Sequence, residues 1–383
     1  MDALILSCST GGGHNAAGFA IKEELEYRGH RVTMMDPYEL VSHKLATEVG
    51  NVYVKMVQRS PKLFGFIYSL GSLVRKVPGK SPVYYANIAV AKKLSIYLRE
   101  HPVDVILMPH LYPAELITYL KKRGEKLPLS VFIATDYVCI PFTEETNCDY
   151  YVVPGKAQVR DFVKRGIPKE KILPYGIPVG RKFDTVRTEA EDGKLRTYAR
   201  KSLGLDQNRK YILLTGGSIG AGNMVTYTRI LWKWFRKRKI SGTVIVICGN
   251  NEKLYTKMQN LKIKHKQDLM IIKKTDQMAN YMYACDIFMS KPGGLSSTEA
   301  AVAHVPYIHM KPIPGCESKN IKYFSKNGMS YAVRWPRLQL MQAMDQLTDE
   351  TYVMHMKDCQ KKISADARKS ICDWVEEFIF QNI

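Results

Sequence analysis

Short runs of apolar, often β-branched residues recur along the chain. Each is bounded by glycine, proline or aspartate and separated from the next by a stretch of helical periodicity. The runs fall at 3–8, 31–35, 103–108, 129–135 and 150–153 and, after a break, at 211–215, 243–248, 269–272, 286–290 and 305–309. Continuous apolar runs of this length predict parallel strands covered by helices on both faces. Such strands alternate with helices twice over, which predicts an α/β protein with two Rossmann-like halves. The expected boundaries are a first domain over 1–175, a linker over 176–208, a second domain over 209–349 and a helical segment over 350–383. Tyr175-Gly176-Ile177-Pro178-Val179-Gly180 opens the linker. The last segment has no following strand and can pack against either half, including back onto the first.

Length and composition agree with this layout. A chain of 383 residues accommodates two domains, and 45% hydrophobic with 24% charged residues excludes global disorder. Fifty-seven Lys and Arg against 36 Asp and Glu leave a net charge of +21. That excess implies an anionic partner: nucleic acid, an anionic membrane surface or a phosphorylated substrate. The eight cysteines are scattered without a C-x-x-C pair, which predicts free thiols in a reducing cytosol and neither zinc ligands nor disulfides. Met1-Asp2-Ala3-Leu4-Ile5-Leu6 carries an acid where a signal peptide is basic. No uncharged apolar stretch approaches the roughly 20 residues that span a bilayer. A cytoplasmic protein with at most peripheral membrane contact is expected.

One stretch changes the picture. Residues 49–99 hold nine Lys or Arg, seven aromatics including Phe64, Phe66, Tyr84 and Tyr85, and no Asp or Glu. Basic residues interleaved with rings suit an interfacial segment, so Phe64, Phe66, Arg75, Lys76 and Lys80 are candidate membrane contacts. The competing reading is a solvated basic face over helical core. A second basic cluster, Trp232 to Lys239, ends a predicted helix, where cations also complement the dipole; structural and functional readings stand equal there.

Three strand-to-helix turns are rich in glycine. The first is Ser9-Thr10-Gly11-Gly12-Gly13-His14-Asn15-Ala16, with Gly12 and Gly13 positioned for close backbone approach to a ligand at a helix N-terminus. Gly11, Gly13 and Ala16 match a dinucleotide fingerprint with Asp36 about 20 residues on, so a nicotinamide enzyme competes. Against it, Asp36-Pro37-Tyr38-Glu39 reads as a helix start with a capping box, and His14 adds a proton-transfer group that a pyrophosphate clamp does not need. The second turn is Gly216-Gly217-Ser218-Ile219-Gly220; no Gly-Lys-Ser/Thr follows, so a Walker loop is excluded. The third, Lys291-Pro292-Gly293-Gly294-Leu295-Ser296-Ser297-Thr298-Glu299, suits a diphosphate, with Ser296 and Ser297 as helix caps and Glu299 one turn in, able to accept both hydroxyls of a ribose. The chain contains no D-x-D, so a helix N-terminus and no metal is expected at the diphosphate.

In these turns, with Pro109-His110, Thr135-Asp136, Tyr175 to Pro178, Cys248-Gly249-Asn250-Asn251 and Pro314-Gly315…Glu317…Asn320, the sequence resembles the monogalactosyldiacylglycerol synthases and processive diacylglycerol glucosyltransferases, relatives of the peptidoglycan N-acetylglucosaminyltransferase. The resemblance implies a GT-B fold, two Rossmann-like domains facing across a cleft. It also implies inverting transfer of glucose or galactose from a UDP-sugar to a diacylglycerol-type lipid at the inner face of the cell membrane, with no resident cofactor or metal and no nucleic acid. His14 would be the base, with His110 or Asp136 on the acceptor side. Gly216, Gly217 and Ser218 would face the diphosphate and sugar, Asn250 the uracil, and Pro292, Gly293, Gly294, Ser296, Ser297 and Thr298 the phosphates. Glu299 would take the ribose, with Glu317 and Asn320 nearer the sugar. A lipid-linked N-acetylglucosaminyltransferase or a UDP-N-acetylglucosamine 2-epimerase is the alternative; a nucleic-acid-binding protein would not explain the three glycine turns. Two places depart from the family pattern. Cys316 stands where relatives tend to have Gln, removing an amide that could read sugar hydroxyls, and Tyr137-Val138-Cys139-Ile140-Pro141-Phe142 stands where a histidine and tryptophan tend to follow Asp136.

Overall fold

The computed structural model describes residues 1–8, 12–44, 46–47, 88–183, 189–264 and 269–381. Ser9, Thr10 and Gly11 of the first glycine turn lie outside the described residues. So do Phe64, Phe66, Arg75, Lys76 and Lys80; of the basic stretch 49–99, the helix Ile88–Glu100 is described.

The chain forms two compact units. One comprises Met1–Arg181, Pro314–Cys316 and Ser364–Ile383, the other Lys182–Ile313 and Glu317–Ile363. The first holds a parallel sheet of β1 (Asp2–Leu6), β2 (Arg31–Met35), β3 (Val105–Met108), β4 (Leu129–Ile133), β5 (Tyr150–Val152) and β6 (Ile172–Leu173), in the order β2-β1-β3-β4-β5-β6. Along β1, Leu4 and Leu6 enter one core with Ile106, Met108 and Phe132, while Ala3 and Ile5 enter another with Val105, Leu107 and Val131. Both faces are thus sealed around β1, β3 and β4, which is why these strands read as unbroken apolar runs; the edge strand β2 leaves Arg31 and Thr33 exposed. β6 has two residues, too few to leave a pattern.

The second unit repeats the scheme with β7 (Lys210–Thr215), β8 (Gly242–Ile247), β9 (Leu269–Ile272), β10 (Ile287–Ser290), β11 (Tyr307–His309) and β12 (Tyr331–Ala332), ordered β12-β11-β10-β7-β8-β9 and parallel throughout. The polar stretch 176–208, expected as a linker, instead contains the helix Glu189–Ser202. That helix is anchored by the buried Arg200, whose guanidinium donates to the carbonyls of Ala284 (2.9 Å) and Gln207 (2.7 Å) and to Asp286 (2.9 Å). Polar anchors in place of an apolar stripe, with Arg196 also reaching Asp286 and Asp192 reaching Lys357, explain why the sequence reads as a connection. In the basic cluster at 232–239 the aromatics are structural: Trp232, Trp234 and Phe235 are buried, and Asp345 accepts from Trp234 Nε1 (2.7 Å) and Arg238 Nε (2.9 Å), while Lys233, Arg236, Lys237 and Lys239 are exposed.

The terminal helical segment divides. The helix Glu350–Gln360 places Met356 in the second unit's core, and the buried Gln360 amide donates to the carbonyls of Val305 and Met329. The helix Ala367–Gln381 covers the first sheet through Ile371, Cys372 and Val375, beside α1 (Gly12–Tyr27). Buried Arg368 joins the two helices, donating to Glu24 (2.9 Å) and to the carbonyl of Val179 (2.8 Å). Glu24 also accepts from Arg28, which reaches Asp373 and Glu376. Gly176 passes under this helix at φ +110°; a Cβ there would lie 2.9 Å from that of Ala367. All eight cysteines are free, seven of them buried. No described helix is long and apolar enough to cross a membrane.

Breaking a buried pair leaves a charge without its compensation. Arg368→Ala is therefore expected to destabilise the protein by about 3 kcal/mol, read as a lower urea midpoint at unchanged slope. A loss below about 1 kcal/mol would show that Arg28 and Arg181, the latter 3.8 Å away, suffice for Glu24.

Candidate functional site

With both faces of each sheet sealed, groups that can meet a ligand gather at the strand ends. In the first unit the order β2-β1-β3 reverses direction at β1 and β3, and the turns leaving those strands carry His14 and His110. Thr135 and Asp136 follow the neighbouring β4. His14 lies in the first turn of α1. Its Nδ1 is 2.8 Å from the carbonyl oxygen of Pro109 and 2.8 Å from Thr135 Oγ1. A carbonyl oxygen can only accept, so these hydrogen bonds assign the proton to Nδ1 and leave Nε2 as the basic nitrogen of the neutral ring. Asn15 is held by Ser7, whose hydroxyl donates to it at 2.6 Å. An apolar recess opens beside His14, lined by Leu111, Phe132, Val138, Ile140 and Phe162 with Thr135 and Asp136. Val138 and Ile140 belong to the run that departs from the family pattern.

His110, expected on the acceptor side with Asp136, is a brace instead. It is buried and caps the helix Leu111–Lys122, its Nδ1 accepting from Tyr112 N at 3.1 Å. Its ring meets His14 edge-on at 4.5 Å between centroids. Burial, reinforced by His14, holds its pKa well below the usual histidine range, so it stays uncharged against His14. Asp136 does line the recess. Asp36 accepts from Tyr38 N at 3.1 Å and caps a single 3-10 turn, Pro37–Leu40, which is the capping role that competed with a dinucleotide site. Gly12 and Gly13 open α1 as helical residues.

In the second unit the turn after β7 is pressed against the turn after β8. A Cβ on Gly216 would lie 2.1 Å from the carbonyl oxygen of Ala221, one on Gly220 2.2 Å from that of Cys248, and one on Gly249 2.3 Å from that of Ser218. Asn250 N donates to Ser218 O at 2.8 Å and Asn251 Nδ2 to Gly220 O at 3.0 Å. Gly216 is thus buried by its own loop and does not face a ligand, contrary to expectation. Gly217 (φ +71°), Ser218 and the Asn250 side chain remain on the accessible side.

The third turn enters the helix Gly294–Val302 through Gly293, which offers no side-chain cap. The N–H groups of Gly294, Leu295 and Ser296 have no acceptor among the described residues, leaving an open anion-binding end. Starting at Gly294, the helix leaves Ser296 and Ser297 no capping role and puts Glu299 in its second turn, which removes the capping-box reading of that carboxylate. Glu299 is partly exposed, and no described group hydrogen-bonds its carboxylate. Burial pushes its pKa up to about 8.

Two side chains expected on the phosphates turn inward. Ser297 is fully buried and lies 2.8 Å from His309 Nε2, while His309 Nδ1 meets Ser330 Oγ at 2.7 Å; burial drives the His309 pKa down to about 3. Thr298 Oγ1 bonds back to Gly294 O at 2.8 Å. Glu317 and Asn320, expected near the sugar, are buried braces: Glu317 accepts from Ile313 N and Lys291 Nζ, and Asn320 Nδ2 donates to Pro292 O at 3.0 Å. Sequence reasoning quoted Lys291 in the third turn but gave it no role. Its ammonium lies 2.5 Å from Glu317 and 3.5 Å from where a Gly293 Cβ would sit, and its Cε is 3.0 Å from where a Gly217 Cβ would sit. It therefore spans two glycine turns, and its adjacency to Pro292-Gly293-Gly294 was the signal. Among the described residues no cluster of His, Cys, Asp or Glu could hold a metal ion.

The family model for monogalactosyldiacylglycerol synthase matches residues 14–179, and that for the glycosyltransferase family 28 C-terminal domain matches 211–371. The chain is 24% identical over 364 residues to a processive diacylglycerol beta-glucosyltransferase of Bacillus cereus, covering 94% of this chain and 89% of that one. A Bacillus thuringiensis protein of the same name is likewise 24% identical over 364 residues. Among solved structures, Acinetobacter baumannii MurG superposes with a TM-score of 0.62 at 12% identity, over 98% of this chain and 99% of that one. The UDP-GlcNAc 2-epimerase of Neisseria meningitidis superposes with 0.65 at 13%, over 98% and 100%. These likenesses establish the fold as GT-B.

The inward turn of Ser297 is open to test. Ser297→Ala leaves His309 Nε2 buried without its hydroxyl partner, an expected loss of about 1–3 kcal/mol in urea unfolding. Unchanged stability would return Ser297 to the list of ligand-facing groups.

Proposed function

We propose, from the match of residues 14–179 to the monogalactosyldiacylglycerol synthase model and of 211–371 to the glycosyltransferase family 28 C-terminal domain, that the chain transfers a hexose, glucose or galactose, from a UDP-sugar to a diacylglycerol-type lipid with inversion at the anomeric carbon. The observation that carries this reading is His14. Its Nδ1 proton is fixed by Pro109 O, its Nε2 is basic, and a small recess with mostly apolar walls opens beside it, on the side from which a lipid hydroxyl would approach. His14 removes the acceptor hydroxyl's proton as the oxygen attacks the sugar. Uncharged His110 keeps a second cation away from it. Asp136 lines the acceptor side.

On the donor side the open N-terminus of the helix Gly294–Val302, with Gly293 and Ser296, receives the diphosphate. Lys291, held by Glu317, supplies the positive charge that a metal provides elsewhere, stabilising UDP as it departs. Gly217 and Ser218 approach the phosphates and sugar, and Asn250 the uracil. Glu299 accepts the ribose hydroxyls. No resident cofactor or metal is required. The acceptor places the reaction at a membrane surface, with the enzyme bound peripherally from the cytoplasmic side.

The direct test is UDP release by the pure protein with a panel of UDP-sugars, with and without diacylglycerol. UDP appearing only with lipid supports the transferase; sugar interconversion without lipid overturns it in favour of an epimerase. In the same assay His14→Ala should lower turnover by about 10²–10⁴-fold while UDP affinity, measured by calorimetry, stays nearly unchanged. Equal loss of both would place the nucleotide at the first glycine turn.

Glu299 gives a pH signature. Ribose hydroxyls donate to the ionised carboxylate and so favour it, whereas the free protein keeps Glu299 protonated below about 8. Binding therefore releases a proton at neutral pH, and affinity for UDP-glucose rises by about tenfold per pH unit until it levels near 8. Calorimetry in buffers of different ionisation enthalpy reads the proton directly. Glu299→Gln should bind without proton release; a parent protein that releases none would remove Glu299 from the ribose.

A further inference from the structure

The second unit displays two large apolar side chains where burial would be expected. Trp335 is 63% and Leu338 79% exposed, and Arg334 and Arg337, interleaved with them, are exposed as well. The display is built. Gln339 Oε1 accepts from both Arg334 N and Trp335 N at 2.9 Å, and Pro336 opens the helix Pro336–Gln346. The backbone that projects the indole is therefore fixed. Exposed Lys311 places its ammonium 5.6 Å from the centre of the indole ring. Lys311 follows β11 and Trp335 follows β12, neighbouring strands whose carboxyl ends lie on the same edge of the sheet as Gly217 and Lys291. No Asp or Glu occurs from Ser318 to Met344, a stretch that holds five Lys or Arg.

An exposed indole and leucine ringed by cations, with no acid in the segment, have the chemistry of a bilayer interface. The ring sits at headgroup depth, the leucine enters the acyl boundary and the cations meet anionic headgroups. We propose that this patch, on the half of the enzyme that holds the donor, docks on an anionic lipid bilayer. The proposal rests on the reading that the acceptor is a lipid. It adds a second membrane contact, independent of the basic stretch at 49–99, and sets the donor-holding edge of the second sheet against the surface from which the acceptor comes.

The test uses the full chain with vesicles of phosphatidylcholine alone or mixed with phosphatidylglycerol. Of the four tryptophans, Trp232 and Trp234 are buried, so docking is expected to shift the emission of Trp335 to the blue with anionic vesicles and not with neutral ones, fading as salt rises. Trp335→Ala with Leu338→Ala should abolish the shift and weaken the vesicle partition coefficient about tenfold. Arg334→Glu with Arg337→Glu should weaken partition by more than about tenfold. These side chains lie on the surface, so UDP-glucose binding should match the parent and verify folding. Either double variant partitioning as well as the parent overturns the proposal. So does a change in oligomeric state without a change in vesicle binding, which would make the patch a contact between copies of the chain. With diacylglycerol in detergent micelles the variants should release UDP at the parent rate, and with diacylglycerol in anionic vesicles more slowly. If the parent releases no UDP in micelles either, the proposed transferase reaction fails, separately from the docking result.

Discussion

Sealing both faces of each parallel sheet leaves the strand ends as the place where this chain can meet a ligand. Once Leu4 and Ile5 point into two different cores, no side chain of β1 is free for chemistry. The turn that follows must supply it. The same holds for β3, β4, β7 and β10, and the turns after these strands carry His14, His110, Asp136, Gly217 and Lys291. The two halves share this constraint and use it differently. One presents an imidazole and an apolar recess, the other an open helix end, an ammonium and a carboxylate.

The inner strands were legible because a strand buried on both faces must be apolar throughout, a signal that survives without any alternation, while the edge strand β2 keeps Arg31 and Thr33 exposed. The two-residue strands β6 and β12 carry too little sequence to show. The helix Glu189–Ser202 was hidden for a different reason, since it is held by Arg200 through polar contacts and its composition reads as a linker. Fold was thus visible where burial of apolar surface decides it, and invisible where an element is too short or is held by buried polar contacts.

The candidate site was legible in its location and less so in its division of labour. Glycine-rich turns announced where backbone approaches something closely, yet at Gly216, Gly220 and Gly249 the partner is the neighbouring loop. Hydroxyls in a helix-opening motif announced hydrogen bonding, yet Ser297 serves a buried histidine and Thr298 its own helix. No pattern in one dimension distinguishes an inward-facing serine from an outward-facing one. Lys291, quoted at the head of the third turn, was given no role because a lone lysine is the commonest of surface residues. Its meaning comes from Glu317, 26 positions away in sequence and 2.5 Å away in space.

The central claim is that a neutral His14 activates the acceptor for a single direct displacement at the sugar. The configuration of the product tests it most directly. With an α-linked UDP-hexose as donor, proton NMR of the purified glycolipid should show the wide anomeric coupling of a β-linked sugar from the first turnover. A product with the narrow coupling of an α-linked sugar would mean that the acceptor does not displace UDP in one inverting step, and the role assigned to His14 would fall with it.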